Sequence, residues 1–378
     1  VDAYYGPPQW QAEAKTEALT PAQIVERAAV LRAELGAGGA TEDALAALRR
    51  QYLATQLGAL AAYANRLQNP GPRDFDREAK ALYDTTPPLQ EHAEFDEILA
   101  RLEQLLPGAG PLHQRVTEFT SAYEIPEDKL PAVFRAAIEA CRERTREHIA
   151  LQPDEDFVLE YVEDKPWSGY NWYQGNAKSL IQINTDLPIR IDRAIDLGCH
   201  EGYPGHHTYN ALLEAEFVDK RDWVEFSVYP LFSPQSLIAE GSANYGIELA
   251  FPGEEKTAFE KSVLYPLAGL DPDTADRYTE FQRIGERLAF ARNQTARLYI
   301  NGEIDREQAV ALLQKYGPSS LERAEQSLRF IDNYGAYVIN YNWGKRLVQE
   351  YVERGTTSPQ ERWEKFADLL ASPRLPSS

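Results

Sequence analysis

The sequence predicts a mostly α, multi-helix protein with a small β element beside one chemistry-bearing helix. Three observations carry this prediction. Long segments with apolar residues at helical spacing fill both ends of the chain, two short runs alternate as strands do, and the second run leads directly into the densest cluster of polar chemistry. At 378 residues the chain is long enough to bury a large core.

In chain order, PAQIVERAAVLRAELG (21–36) has helical periodicity and meets a Gly-rich stop. TEDALAALRRQYLATQLGALAAYANRLQ (41–68) opens on a Thr cap, and two further helices are expected over 89–108 and 126–150, with Pro/Gly-rich breaks between them. This first stretch, 1–152, carries no chemical motif and reads as a helical scaffold or lid. The character then changes. DFVLEYVED (156–164) alternates as a strand, WSGYNWYQGN is rich in aromatic and turn residues, and SLIQINTDLP (179–188) is again a strand, ended by Pro188. RIDRAIDLGCHEG (190–202) returns to helical spacing, and from about 231 the remainder reads as helices. The segment 153–378 is the expected catalytic region, continuous with the scaffold and meeting it at a cleft.

Composition narrows the function classes. The chain is 43% hydrophobic and 26% charged, ordinary for a globular protein. With 59 acidic against 39 basic residues its net charge is −20, a surface that repels nucleic acid and anionic membranes and that reads as a device for solubility. No apolar run is long enough to span a bilayer, and VDAYYGPPQW does not resemble a secretory signal, so a cytoplasmic location is expected. Two cysteines, Cys141 and Cys199, are too few for a disulfide framework. Cys199 reads as a buried reduced thiol, with metal ligation as the weaker alternative.

The chemistry concentrates in CHEGYPGHH (199–207). Three of the six histidines fall within eight positions, and Glu201 sits beside the first of them. Imidazoles with an adjacent carboxylate are the ingredients of a hydrolytic zinc site. In the ordinary H-E-x-x-H motif the two histidines lie one helical turn apart on one face. Here Pro204 holds the second place. On an undistorted helix His206 would lie about 240° round from His200, and His207 would lie about 10 Å further along the axis. A shared metal therefore requires the helix to break. Pro204 removes a backbone donor and Gly205 tolerates unusual backbone angles, so the break falls between the histidines and favours His206 as the second ligand. His207 is left to support the site or to face substrate. Glu240, between Leu237-Ile238-Ala239 and Gly241 on a separate expected helix, is the best candidate for a third ligand, and Glu201 is then the general base.

H-E-x-x-P-G-H-H followed by E-G-x-A-x-Y (Glu240, Gly241, Ala243, Tyr245) resembles the bacterial domain-of-unknown-function family DUF885. That family is itself similar to the gluzincin metallopeptidases, notably the helical M32 and M3 carboxypeptidase and oligopeptidase folds. The resemblance covers roughly the last 220 residues. It implies a zincin-like fold, His200, His206 and Glu240 as ligands of one zinc ion, Glu201 as base, and a deep cleft suited to short peptides. Two departures stand out: Ser242 follows the E-G pair where the family often has Trp, and the histidine spacing differs from H-E-x-x-H.

Peptidases of this kind hold an extended substrate against an edge strand before the site helix, which assigns that task to SLIQINT (179–185), with Asn184 as a candidate substrate anchor or a strand-ending turn residue. In RFIDNYGAYVINYNWGK (329–345), Tyr341 and then Tyr337 are candidates to stabilise the carbonyl oxygen. Arg329, Lys345 and Arg346 are candidates for a substrate carboxylate. The leading expectation is a zinc-dependent hydrolase of peptide or amide bonds acting on small substrates. The alternative is a catalytically inactive metal- or ligand-binding protein on the same fold. A carboxylate-histidine iron site in a helical bundle lacks the Glu-x-x-His pairs it needs around the motif.

Overall fold

A computed structural model describes residues 3–38, 43–69, 71–165 and 167–378. The chain is mostly helical, with two small sheets. The expected N-terminal helices are present as Pro21–Ala37, Ala44–Gln68, His92–Leu105 and Leu130–Arg146, joined by helices Pro8–Glu17, Phe75–Tyr83 and Leu112–Ser121. The expected Thr41 cap lies outside the described residues. Asp43 caps helix Ala44–Gln68, accepting from the N–H groups of Leu45 and Ala46.

Two strands, β1 (Ala3–Tyr4) and β5 (Val228–Tyr229), form an antiparallel pair. The larger sheet contains β2 (Asp156–Val162), β3 (Gly169–Gly175) and β4 (Lys178–Asn184) in the order β2-β4-β3, with β4 parallel to β2 and antiparallel to β3. β3 is the strand that period-two alternation misses, because Gly169 and Asn171 interrupt its aromatic run. Its hairpin to β4 turns on Asn176 and Ala177, both with positive φ, a geometry that matches strand twist. The buried Glu214 carboxylate fixes this turn by accepting from the N–H groups of both residues. β4 is therefore the central strand, not an edge. The free edge beside the motif belongs to β3.

Among the described residues the two largest apolar cores hold the layers. One joins Tyr52, Phe75 and Tyr83 from the N-terminal helices to Leu237, Ile331 and Phe366. The other places Val133 and Phe134 against Ile181, Ile195, Tyr203 and Tyr265, under the sheet. The transition near residue 152 thus marks the change from helix to sheet, while both cores run across it. Among the described residues no helix is long and apolar enough to cross a membrane.

Cys141 and Cys199 form a disulfide, which corrects the expectation of a reduced thiol at Cys199 and removes Cys199 as a ligand. The bond pins helix Leu130–Arg146 to the motif segment. Two cysteines cannot build a framework, but 58 residues apart in sequence they meet because both face the second core.

Candidate metal centre

The motif helix begins as an α-helix at Asp192–Leu197 and widens to a π-turn over Gly198–Gly202. It stops at a cis Tyr203-Pro204 bond, and a new helix starts at His206 (His206–Leu213). Gly205 makes the return possible. Its N–H donates to the Cys199 carbonyl at 3.0 Å, so the chain folds back onto the end of the π-turn. A Cβ at this position would overlap the His200 carbonyl oxygen, which leaves glycine as the residue that fits. The break swings His206 against His200: their ring centroids lie 4.7 Å apart at 88°.

Glu240 arrives from helix Pro234–Ala250, capped by Ser233. Two glycines seat this helix. A Cβ on Gly241 would lie 2.5 Å from Gly344 of helix Ile339–Glu353, and one on Gly246 would lie 2.7 Å from the Pro204 ring. The backbone can therefore approach both the motif turn and the C-terminal helix. Glu240 Oε2 reaches 3.2 Å from His200 Nε2, and Oε1 reaches 3.7 Å from His206 Nε2. One donor atom from each of His200, His206 and Glu240 falls within 4.8 Å of the others.

These residues fit a zinc ion. Two imidazole nitrogens and a carboxylate oxygen are an ordinary catalytic donor set, and bonds of about 2 Å draw such donors to about 3.3 Å apart. Glu240 Oε2 is buried without a hydrogen bond, an orphan that a cation would satisfy. The His200 tautomer follows from Asn244. The Asn244 amide nitrogen donates to the carbonyls of Glu240 and Tyr341 at 3.0 and 3.3 Å, so its Oδ1, 3.2 Å from His200 Nδ1, must accept. Nδ1 of His200 then carries a hydrogen, and Nε2 is the ring atom that faces Glu240 and would bind a cation.

The electrostatics differ between the two imidazoles. Burial, reinforced by the His200 charge, brings His206 down to about 4, so it is neutral near pH 7. Burial opposes the charged form of His200, yet the Glu240 and Glu201 carboxylates outweigh it and raise its pKa. Burial would raise Glu240, but His206, His200 and the Tyr337 hydroxyl hold it below the usual range.

Glu201 is buried on the wall of a cleft of about 1960 Å³ that also exposes His200, His206 and Glu240. The start of β3 packs over it: Asn171 donates to the Glu201 carbonyl at 2.7 Å, and a Cβ on Gly169 would come within 3.1 Å of its carboxylate. The strand edge at the site is thus Gly169–Asn171, in place of the 179–185 strand expected from sequence. Tyr341 lines the cleft, its hydroxyl held well above the ordinary value by burial and then Glu240, so it stays a protonated donor.

The remaining candidates take other places. The Tyr337 hydroxyl donates to Glu240 Oε1 at 2.9 Å, so it orients the carboxylate. His207 is fully buried away from the cleft, between Ser179 at 2.8 Å and Glu155 at 3.2 Å, and cannot face substrate there. The Asn184 amide donates to the carbonyls of Lys165 and Trp167 while its oxygen accepts from Asp186 N–H, which makes it the strand-ending turn residue. Lys345 is paired with Glu248 at 2.6 Å. Arg329 stands exposed at the rim with Glu325 3.9 Å away, and Arg346 pairs with Glu350 on the surface. Sequence reasoning missed Asn244, although its position four residues after Glu240 puts it on the same helix face.

No family model matches the sequence, and no curated protein matches it. Among solved structures the chain is similar to a "putative lipoprotein" from Colwellia psychrerythraea, with a TM-score of 0.57 and 14% identity over 91% of this chain and 65% of that one. A "putative lipoprotein of unknown function" from Shewanella oneidensis gives a TM-score of 0.49 and 13% identity, covering 92% of this chain and 72% of that one. The chain spans less than two thirds of the length of the first of these. At this identity the first likeness establishes a shared fold and leaves the chemistry open.

Proposed function

We propose that the protein is a zinc-dependent hydrolase of peptide or amide bonds in small substrates, on a zincin-like fold. The observation that carries this reading is the convergence of His200, His206 and Glu240 on a cleft that also presents Glu201. The motif's resemblance to DUF885, and through it to gluzincin peptidases, points the same way.

His200 Nε2, His206 Nε2 and a Glu240 oxygen would hold the ion, which when bound supplies a Lewis acid for the carbonyl and acidifies water. Glu201 accepts the proton of the attacking water and returns it to the leaving amine. Tyr341 donates to the carbonyl oxygen as negative charge builds there. Tyr337 and Asn244 hold Glu240 and His200 in place. The free edge of β3 at Gly169–Asn171 offers backbone pairing to an extended peptide without selecting its side chains. The Cys141–Cys199 bond favours an oxidising compartment over the cytoplasm expected from the N-terminus.

The test is hydrolysis of a panel of short peptides and aryl amides by the zinc-loaded protein, with Glu201→Gln as control. The proposal expects turnover that the variant loses by at least about 100-fold. Equal inactivity of both proteins on every substrate would refute it.

A further inference from the structure

Several cations lining the cleft are paired with carboxylates. Lys345 pairs with Glu248 at 2.6 Å, Lys256 with Asp196 at 3.1 Å, and Arg283 with Glu254 at 2.5 Å. Arg292 differs. It lies in the first turn of helix Phe290–Ile300 and lines the cleft, half-buried. Among the described residues no carboxylate pairs with it, and its Nε is buried without a hydrogen bond. Its guanidinium lies over the Phe330 ring, 4.9 Å from the centroid. Burial lowers its pKa, the sign of a cation held in place without a compensating anion. An arginine desolvated in this way is costly unless something that visits the site neutralises it.

Its place relative to the candidate metal centre follows from a run of ring contacts. Tyr337 donates to Glu240 and lies 5.8 Å from Tyr341 between ring centroids, and Tyr341 lies 6.3 Å from Phe330. Arg292 stands over the far end of that run, on the face of the Phe330 ring. The neighbouring Asn293 is tied to Asn342 at 2.7 Å, and Asn342 to the Ala289 carbonyl at 3.1 Å, so the helix start that carries Arg292 is fixed to the segment that carries Tyr341. The position is built, and among the described residues no carboxylate pairs with the guanidinium in it.

We infer that Arg292 is a carboxylate-binding subsite of the cleft, which selects substrates bearing a carboxylate on one side of the bond cut beside Tyr341. The inference rests on the hydrolase reading above and adds a substrate class to it. A planar guanidinium presents two parallel donors that match a carboxylate, and the Phe330 face behind it restricts its rotation. Both a free peptide C-terminus and an Asp or Glu side chain carry this chemistry.

The experiment separates those sources, and separates the subsite from the hydrolase. The full chain as purified, carrying Glu201→Gln so that bound peptide is not consumed, is titrated calorimetrically with acetyl-Ala-Ala as the free acid, the same peptide as its C-terminal amide, and acetyl-Asp-Ala-amide. At least one carboxylate-bearing peptide is expected to bind 10-fold or more tighter than the neutral amide. The free acid leading indicates recognition of the terminus, and the Asp peptide leading indicates recognition of a side chain. Arg292→Gln, checked for folding by thermal melting, is expected to erase the preference, and Arg292→Lys to restore part of it. Equal binding of all three peptides, no measurable binding of any, or a preference that survives Arg292→Gln would overturn the subsite. Parallel turnover by the zinc-loaded parent keeps the two claims apart. Hydrolysis without a carboxylate preference would leave the hydrolase standing and the subsite refuted, and Arg292-dependent binding without hydrolysis would do the reverse.

Discussion

Asn244 shows how much a single amide can decide. With both of its N–H groups donating to carbonyls, it can only accept from His200, and this fixes which imidazole nitrogen faces Glu240. Asn244→Ala is therefore expected to weaken zinc binding about 10- to 100-fold without unfolding the protein, measured by competition with a chromogenic chelator. Tyr341→Phe is expected to lower kcat by about 100-fold while sparing zinc affinity, whereas Tyr337→Phe should act on zinc affinity, since it touches Glu240. Two buried carboxyls set opposite pH limits on stability. Burial would raise Glu155, but hydrogen bonds from His207, Tyr203 and Arg142 hold it at about 2. Because its folded pKa lies below the ordinary value, its contribution is complete above about 4.5 and is lost as pH falls toward 2. Burial, aided by Asp192 and Asp196 and opposed by Lys256, pushes Glu260 up to about 7. The folded state there favours the neutral acid, so this contribution is complete below the ordinary carboxyl range and is lost as pH rises through 7. Glu155→Gln should flatten the acid limb of a stability–pH curve and Glu260→Gln the limb between pH 5 and 8. A curve unchanged by either substitution would count against these assignments.

At the scale of elements, the site depends on places where regular structure is interrupted. The π-turn, the cis Tyr203-Pro204 bond and Gly205 together let two histidines six positions apart meet. Gly205→Ala is expected to cost about 3 kcal/mol or more and to abolish zinc binding, since the new methyl would occupy the His200 carbonyl. Gly241→Ala should cost about 1–3 kcal/mol by separating helices Pro234–Ala250 and Ile339–Glu353, with a smaller loss of zinc affinity. Thermal melts with chelator titration separate the two effects. The need for a helix break was legible in the sequence, because Pro and Gly between the histidines admit few alternatives, and Glu240 among apolar neighbours was legible as an inward carboxylate. β3 was not, because glycine and asparagine at alternate positions mask its period, and without β3 the central strand β4 passes for an edge. His207 also misled. Its neighbour His206 suggested shared duty, yet consecutive helical residues point about 100° apart, which sends His207 into the core beneath the sheet.

At the scale of the whole molecule, the helical N-terminal stretch and the motif region share their cores, and one covalent bond reinforces the union. Periodicity located most of the helices, but long-range meetings carry no local signal. The Cys141–Cys199 pair and the unpartnered Arg292 in the cleft are visible only once the chain is folded. Reduction of the disulfide, or Cys141→Ser with Cys199→Ser, is expected to destabilise the fold by about 2–4 kcal/mol. Because Cys199 precedes a proposed ligand, zinc affinity should fall along with the melting temperature.

The central claim is that His200, His206 and Glu240 hold a single cation against the cleft. It is tested most directly by a crystal structure of zinc-soaked protein with anomalous data collected at the zinc edge. The account predicts one strong peak about 2 Å from His200 Nε2, His206 Nε2 and a Glu240 oxygen, absent from His206→Ala crystals. Density that leaves these three side chains without a peak while zinc binds elsewhere would contradict it.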